Sequence, residues 1–123
     1  MYNVLVCDDE KDIVSALQIY LKSEGYQVFS AYNGKEALKI INREDIQLVL
    51  MDIMMPVMDG LEATREIRTM NRSDASAVAI IAMTANAFAE DKSKALKAGM
   101  DEYLTKPLES EKLIRALSRY KYN

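Results

Sequence analysis

The chain contains no histidine. That excludes His-ligated zinc, Ser-His hydrolase triads and any histidine that phosphorylates itself. A single cysteine, Cys7, rules out an internal disulfide, and its expected role is that of a small buried hydrophobe. Long apolar runs are missing as well. The longest, Ala77 to Met83, falls far short of the roughly 20 residues that a membrane helix needs. No basic block is present: 16 Lys and Arg against 19 Asp and Glu leave a net charge of −3, which gives nucleic acid or an anionic membrane nothing to hold. No signal peptide is visible, because the N-terminus enters a strand pattern at once, so a cytoplasmic setting is expected.

What remains is an ordinary globular composition. At 123 residues, half apolar and 28% charged, the chain suits one domain with a real core. Strand and helix patterns alternate five times. Val4 to Cys7 is a short continuous apolar run, as expected for a strand buried on both faces. Ile13, Val14, Leu17, Tyr20 and Leu21 follow at helical spacing, and Gly25 supplies a stop. Val28-Phe29 marks a weaker second strand. Asn33 can cap the next helix, with Glu36 three residues on and Ala37, Leu38 and Ile41 facing inward.

Leu48 to Met51 reads as the third strand, and Asp59 and Glu62 open a third helix whose inner face is Leu61, Thr64, Ile67 and Met70. Val78 to Met83 reads as the fourth strand, and Tyr103-Leu104 lies in the fifth. A last helix, capped by Ser110, buries Leu113, Ile114, Leu117 and Tyr120. The fourth helix, from about Phe88 to Ala98, differs. Its inward positions are mostly alanine, and Asp91 and Lys92 interrupt the stripe. Such a helix is held weakly by packing, as moving elements are, although an Ala-rich surface helix with good intrinsic propensity reads the same way.

Five strand–helix units of this length predict an α/β fold: a doubly wound, five-stranded parallel sheet, flavodoxin-like (βα)5, with helices on both faces. The order 2-1-3-4-5 fits. The strand tips support it, since only the second strand, ending Ser30-Ala31-Tyr32, lacks a charged or reactive tip, and only that strand lies at the edge beside the first.

The other four apolar runs end on Asp8, Asp52, Thr84 and Lys106. In an open parallel sheet, ligands bind beyond the carboxyl ends of the strands, so these groups should share one crevice, with Asp8, Asp9 and Asp52 meeting where strands 1 and 3 are neighbours. Crowded carboxylates must retain a proton or bind a cation. Oxygen-only ligands with open positions suit Mg2+, with Mn2+ as a substitute. Asp52 ends the central strand between that cation and Lys106, and a carboxylate attacking phosphorus yields an aspartyl phosphate. Each residue also has a plain alternative: Asp8 and Asp9 as helix caps, Thr84 as a strand end, Lys106 as a solvated charge. Four complementary tips arising together by accident is improbable.

From Asn3 to Tyr120 the chain resembles the receiver domain of bacterial two-component response regulators. The resemblance rests on Val6-Cys7-Asp8-Asp9-Glu10, on Met51-Asp52-Ile53-Met54-Met55-Pro56-Val57-Met58-Asp59-Gly60, on Met83-Thr84-Ala85, and on Tyr103-Leu104-Thr105-Lys106-Pro107, in that order and spacing. It implies one receiver domain over residues 1–123, with Asp52 as phosphoacceptor for a sensor histidine kinase or histidine phosphotransfer protein. It further implies Mg2+ held by Asp8, Asp9, Asp52 and the carbonyl of Met54, and Lys106 on the phosphoryl oxygen before a cis bond to Pro107. Ala85 matches a position kept small for the donor's approach. Thr84 and Tyr103 resemble the switch pair, with the fourth helix and the fifth strand and helix as output face.

The same resemblance implies a signalling domain rather than an enzyme, with Mg-dependent autophosphorylation from small donors and autodephosphorylation. Asn86 could orient a water but more simply caps the fourth helix. Met54 offers no polar help, so a phosphoryl lifetime longer than that of the fastest members is expected. Past Tyr120 only three residues remain, so the downstream partner is a separate protein or a fused output domain, and Met83-Thr84-Ala85-Asn86-Ala87 is closer to receivers of hybrid kinases and phosphorelays. A Mg-dependent aspartyl-phosphate phosphatase would share these groups, but needs a general acid where Met54 stands. A flavin-binding domain of this topology would need a phosphate-cradling loop where Asp8-Asp9-Glu10 repel the anion.

Overall fold

The computed structural model describes residues 2–70, 78–85 and 89–121. Five strands, β1 (Asn3–Cys7), β2 (Gln27–Ala31), β3 (Leu48–Asp52), β4 (Ala79–Thr84) and β5 (Glu102–Thr105), alternate with five helices, α1 (Lys11–Ser23), α2 (Gly34–Arg43), α3 (Gly60–Arg68), α4 (Ala89–Ala98) and α5 (Ser110–Lys121). All strand pairs are parallel, in the order β2-β1-β3-β4-β5. The expected doubly wound sheet is therefore the observed one.

The continuous apolar runs reflect two cores, one on each face. Val4, Val6, Leu48, Leu50, Ile81 and Met83 face α1 and α5, whose Val14, Leu17, Leu21, Leu113 and Leu117 complete one cluster. Leu5, Cys7, Val49, Met51, Ile80 and Ala82 face the other way, onto Ala37 and Ile41 of α2, Ala63 and Ile67 of α3 and Ala95 of α4. Alternation within each strand thus buries both sets, and Leu48 to Met51 of the central β3 are wholly inaccessible.

Local chemistry sets the helix ends. Asn33 accepts a hydrogen bond from the Glu36 amide at 3.0 Å, while Glu36 reaches back to accept from the Tyr32 amide at 2.7 Å. Asp59 caps α3 through the Glu62 amide at 2.8 Å. Gly25 follows α1 at φ +93°, a left-handed conformation that glycine adopts without strain. The last helix departs from expectation. Ser110 is its first helical residue, and the Glu109 carbonyl accepts the first helical bond from the Leu113 amide. The expected start of α4 at Phe88 and the Asn86 cap fall outside the described residues.

Helix α4 does bury alanines, Ala95 and Ala98, and it leaves Leu96 exposed. Its C-terminal end is fastened by Arg68 of α3. The Arg68 guanidinium donates to the carbonyls of Gly99 (2.8 Å) and Val78 (2.6 Å) and pairs with Asp101 at 2.9 Å. Asp101 also accepts from the Ile80 amide, so one ionic cluster ties α3, β4 and the α4–β5 turn together.

Candidate phosphoryl-acceptor site

The carboxyl ends of β1, β3, β4 and β5 meet at one rim of the sheet. Asp8 and Asp9 follow β1, and Asp52 is the last residue of β3. One carboxylate oxygen from each of the three lies within 4.8 Å of the others. Asp8 is fully buried and Asp52 nearly so, while Asp9 is exposed. Backbone bonds hold the rim in register: the Asp8 amide donates to the Ala31 carbonyl at 3.1 Å, and the Ile53 amide donates to the Met83 carbonyl at 3.1 Å.

Neither acid of the pair caps α1. Asp8 turns one oxygen back to accept the Glu10 amide at 3.0 Å, and Glu10, in the cap position, makes no side-chain cap. The second oxygen of Asp8 faces the crevice. Lys106 Nζ lies 2.8 Å from it and 3.3 Å from Asp52 Oδ1, an ion pair with each. Lys106 is therefore no solvated charge: it bridges two buried carboxylates. The Lys106 amide donates to the Thr84 carbonyl at 2.7 Å, joining β5 to the tip of β4, and the Lys106–Pro107 bond is cis.

The electrostatics follow from this crowding. Burial raises the pKa of Asp52 to about 6, Asp8 and Asp9 push in the same direction, and Lys106 opposes them. For Lys106, burial lowers the pKa, but bonds and charges from Asp8 and Asp52 outweigh it, and the net direction is upward. The Cys7 thiol is driven well above its usual range by burial and by the charges of Asp52 and Asp8, so it stays protonated. It contributes packing, with Sγ 3.4 Å from the Asn33 carbonyl.

Thr84 is buried at the end of β4, and Thr105 is its register partner on β5. Tyr103 pairs with Ala82 and packs, half-buried, beside the second core. The Met54 side chain is exposed. Asn86 lies outside the described residues.

Sequence reasoning passed over two glycines beside these groups. A Cβ on Gly60 would collide with the Asp52 carbonyl, and one on Gly34 would press on Met58, whose carbonyl accepts the Gly34 amide at 2.9 Å. The Asp59-Gly60 dipeptide was the available signal, since a glycine opening a helix often marks a close backbone approach.

A family model described as the response regulator receiver domain matches residues 4–118. The chain belongs to the receiver-domain family. Solved relatives agree. The receiver domain of sensor histidine kinase PA1611 from Pseudomonas aeruginosa, which carries a magnesium ion coordinated in its active-site cleft, is 36% identical with TM-score 0.90, the match covering 99% of this chain and 98% of that one. Chemotaxis protein CheY4 of Vibrio cholerae is 30% identical with TM-score 0.91 over 98% of both chains. The BeF3-activated DrrB receiver domain is 28% identical with TM-score 0.87, covering 100% and 99%. This receiver domain is accordingly a phosphoacceptor signalling module of two-component systems, a switch activated by phosphorylation.

Proposed function

We propose that this receiver domain accepts a phosphoryl group on Asp52 from a sensor histidine kinase or a histidine phosphotransfer protein, with Mg2+ as cofactor. The observation that carries the reading is the buried Asp8–Lys106–Asp52 cluster with Asp9 at its open edge. The donor set fits a hard cation. The inward oxygen of Asp8 is buried, and three carboxylates outweigh one ammonium. Asp8, Asp9, Asp52 and the Met54 carbonyl would hold Mg2+, and the same oxygens would accept Mn2+. Bound Mg2+ would offset the negative charge of the acids and of the incoming phosphoryl oxygens.

The chain's own residues supply the rest. An oxygen of Asp52 forms the new bond to phosphorus as the donor's P–N bond breaks, and the imidazole leaves with the electron pair and takes a proton from solvent. Lys106 then exchanges a contact with Asp52 for one with a phosphoryl oxygen. Ala85 leaves room for the donor. Thr84 turns its hydroxyl to the phosphoryl group, and Tyr103 moves into the space given up. The shift passes to α4, β5 and α5, where a downstream protein or a fused output domain reads it, with no direct contact to nucleic acid or membrane. The likeness to a receiver domain of a sensor histidine kinase supports the hybrid-kinase reading. A Mg-dependent aspartyl-phosphate phosphatase would use the same cluster, but the thioether of Met54 has no proton to give a leaving group.

The test is intact mass after incubation with Mg2+ and a small-molecule phosphodonor. Wild type is expected to gain one phosphoryl group and Asp52→Asn none. Equal gain in both, or none in wild type, overturns the assignment.

A further inference from the structure

Lys92, which breaks the apolar stripe of α4, is half-buried. Its ammonium lies over the ring of Tyr103, 4.7 Å from the centroid. Both side chains are half-buried, so the pair is partly shielded. Among the described side chains of α4, Ala95 and Ala98 pack at the C-terminal half, beside the Gly99 carbonyl that Arg68 holds. Toward the N-terminal half, the cation–ring stack joins α4 to β5.

We infer that Lys92 is a positioning residue for the switch: its ammonium holds the Tyr103 ring against α4 and makes the helix and the ring move together. The inference rests on the proposed Thr84/Tyr103 switch. The physical argument concerns where an ammonium can follow. A ring facing α4 keeps the Lys92 head near water while offering it the negative face of the π system. A ring turned inward toward Thr84 leaves that head behind, because a lysine cannot enter the apolar cluster of Ala82, Met51 and Ala95 without losing its hydration. The contact is thus made in one arrangement and lost in the other, which is what differential stabilisation requires. Exposed or partly shielded cation–π pairs bias an equilibrium by about 2- to 5-fold. When the competent arrangement is the minor one, apparent ligand affinity changes by the same factor.

The experiment titrates beryllofluoride with Mg2+ into the full chain labelled at tyrosine and at backbone nitrogen. It takes the midpoint from backbone amide signals in wild type, Lys92→Met, Lys92→Arg and Tyr103→Leu, and follows the Tyr103 ring signal by NMR in the variants that keep the ring. Methionine keeps most of the stem and removes the charge; arginine keeps both charge and ring contact. Lys92→Met is expected to move the free-protein ring signal toward its beryllofluoride-bound position and to lower the titration midpoint about 2- to 5-fold. Lys92→Arg is expected to match wild type, and Lys92→Met is expected to have no further effect in the Tyr103→Leu background. An unchanged or raised midpoint in Lys92→Met, or an effect that persists without the ring, overturns the inference. The two readings fail differently. Should Tyr103→Leu itself leave the midpoint unchanged, the switch assignment falls and takes this one with it. Should Tyr103→Leu shift the midpoint while Lys92→Met does not, only the role of Lys92 falls.

Discussion

Gly60 packs against the backbone of Asp52 so closely that no other residue fits: a Cβ there would collide with the Asp52 carbonyl oxygen and crowd Ile53 as well. The first residue of α3 is thereby locked to the end of β3, and the Gly60 amide seals the contact by donating to the Ile53 carbonyl at 3.0 Å. Gly60→Ala is expected to cost about 1–3 kcal/mol, the range for forced overpacking. Phosphoryl gain should fall more than stability does, because the displaced atoms belong to the acceptor. Urea denaturation and intact mass, measured on one preparation, check both.

Lys106 compensates two carboxylates that are out of water, so its removal leaves Asp8 buried without a counter-charge. Lys106→Met is expected to destabilise the protein by about 3–5 kcal/mol at pH 8 without metal, the usual result of breaking one side of a buried pair. Mg2+ should restore part of the loss. Thermal denaturation with and without Mg2+ decides this: equal losses in both buffers would mean that the ammonium and the metal do not share the site.

The raised pKa of Asp52, about 6 against 3.8 unperturbed, fixes the sign of a pH effect. Native Asp52 holds its proton more tightly than the unfolded chain does, so between about pH 4 and 6 the native state binds more protons. Its contribution to stability therefore falls as pH rises through that window. Without metal, Asp52→Asn is expected to be more stable than wild type at pH 8, with the advantage shrinking below pH 6 and gone near pH 4. Saturating Mg2+ should erase or reverse it. Melting curves across pH 4–8 give the answer.

Val57 holds φ +68° in the loop between β3 and α3, with its side chain exposed. A β-branched residue in the left-handed region carries strain of roughly 1–2 kcal/mol, and glycine relieves it while costing about 0.5–1 kcal/mol in backbone entropy. Val57→Gly is expected to be neutral to stabilising by up to about 1 kcal/mol, whereas valine to glycine at an ordinary loop position would destabilise. Equilibrium denaturation measures the difference.

The strand tips were legible because buried parallel strands are apolar throughout, so the polar residue ending each run stands out. Asp8, Asp52, Thr84 and Lys106 all come to the rim, and Asn33 and Asp59 act through local bonds that sequence spacing encodes. Other features depended on partners distant in the chain. Lys92 looked like an interruption because its partner, Tyr103, arrives from the neighbouring strand. Arg68 gave no signal, since its acceptors are two backbone carbonyls and an acid 33 positions away. Ser110 is a good capping type, but the chain enters α5 one residue earlier, with Glu109 in the cap position. The glycine at position 60 hints at a close approach, but its partner, the Asp52 backbone, is identified only when β3 and α3 are placed side by side.

Because Arg68 holds the Gly99 carbonyl at the end of α4 and ties it to the Val78 carbonyl and the Asp101 carboxylate, that tip of the helix is clamped to α3 and β4. Displacement of a clamped rod grows with distance from the clamp. On the proposed switch, the opening turns of α4 are expected to travel farther than the closing turn. A partner gripping the closing turn would then meet much the same surface in both states, and one lying across the opening turns would meet the difference.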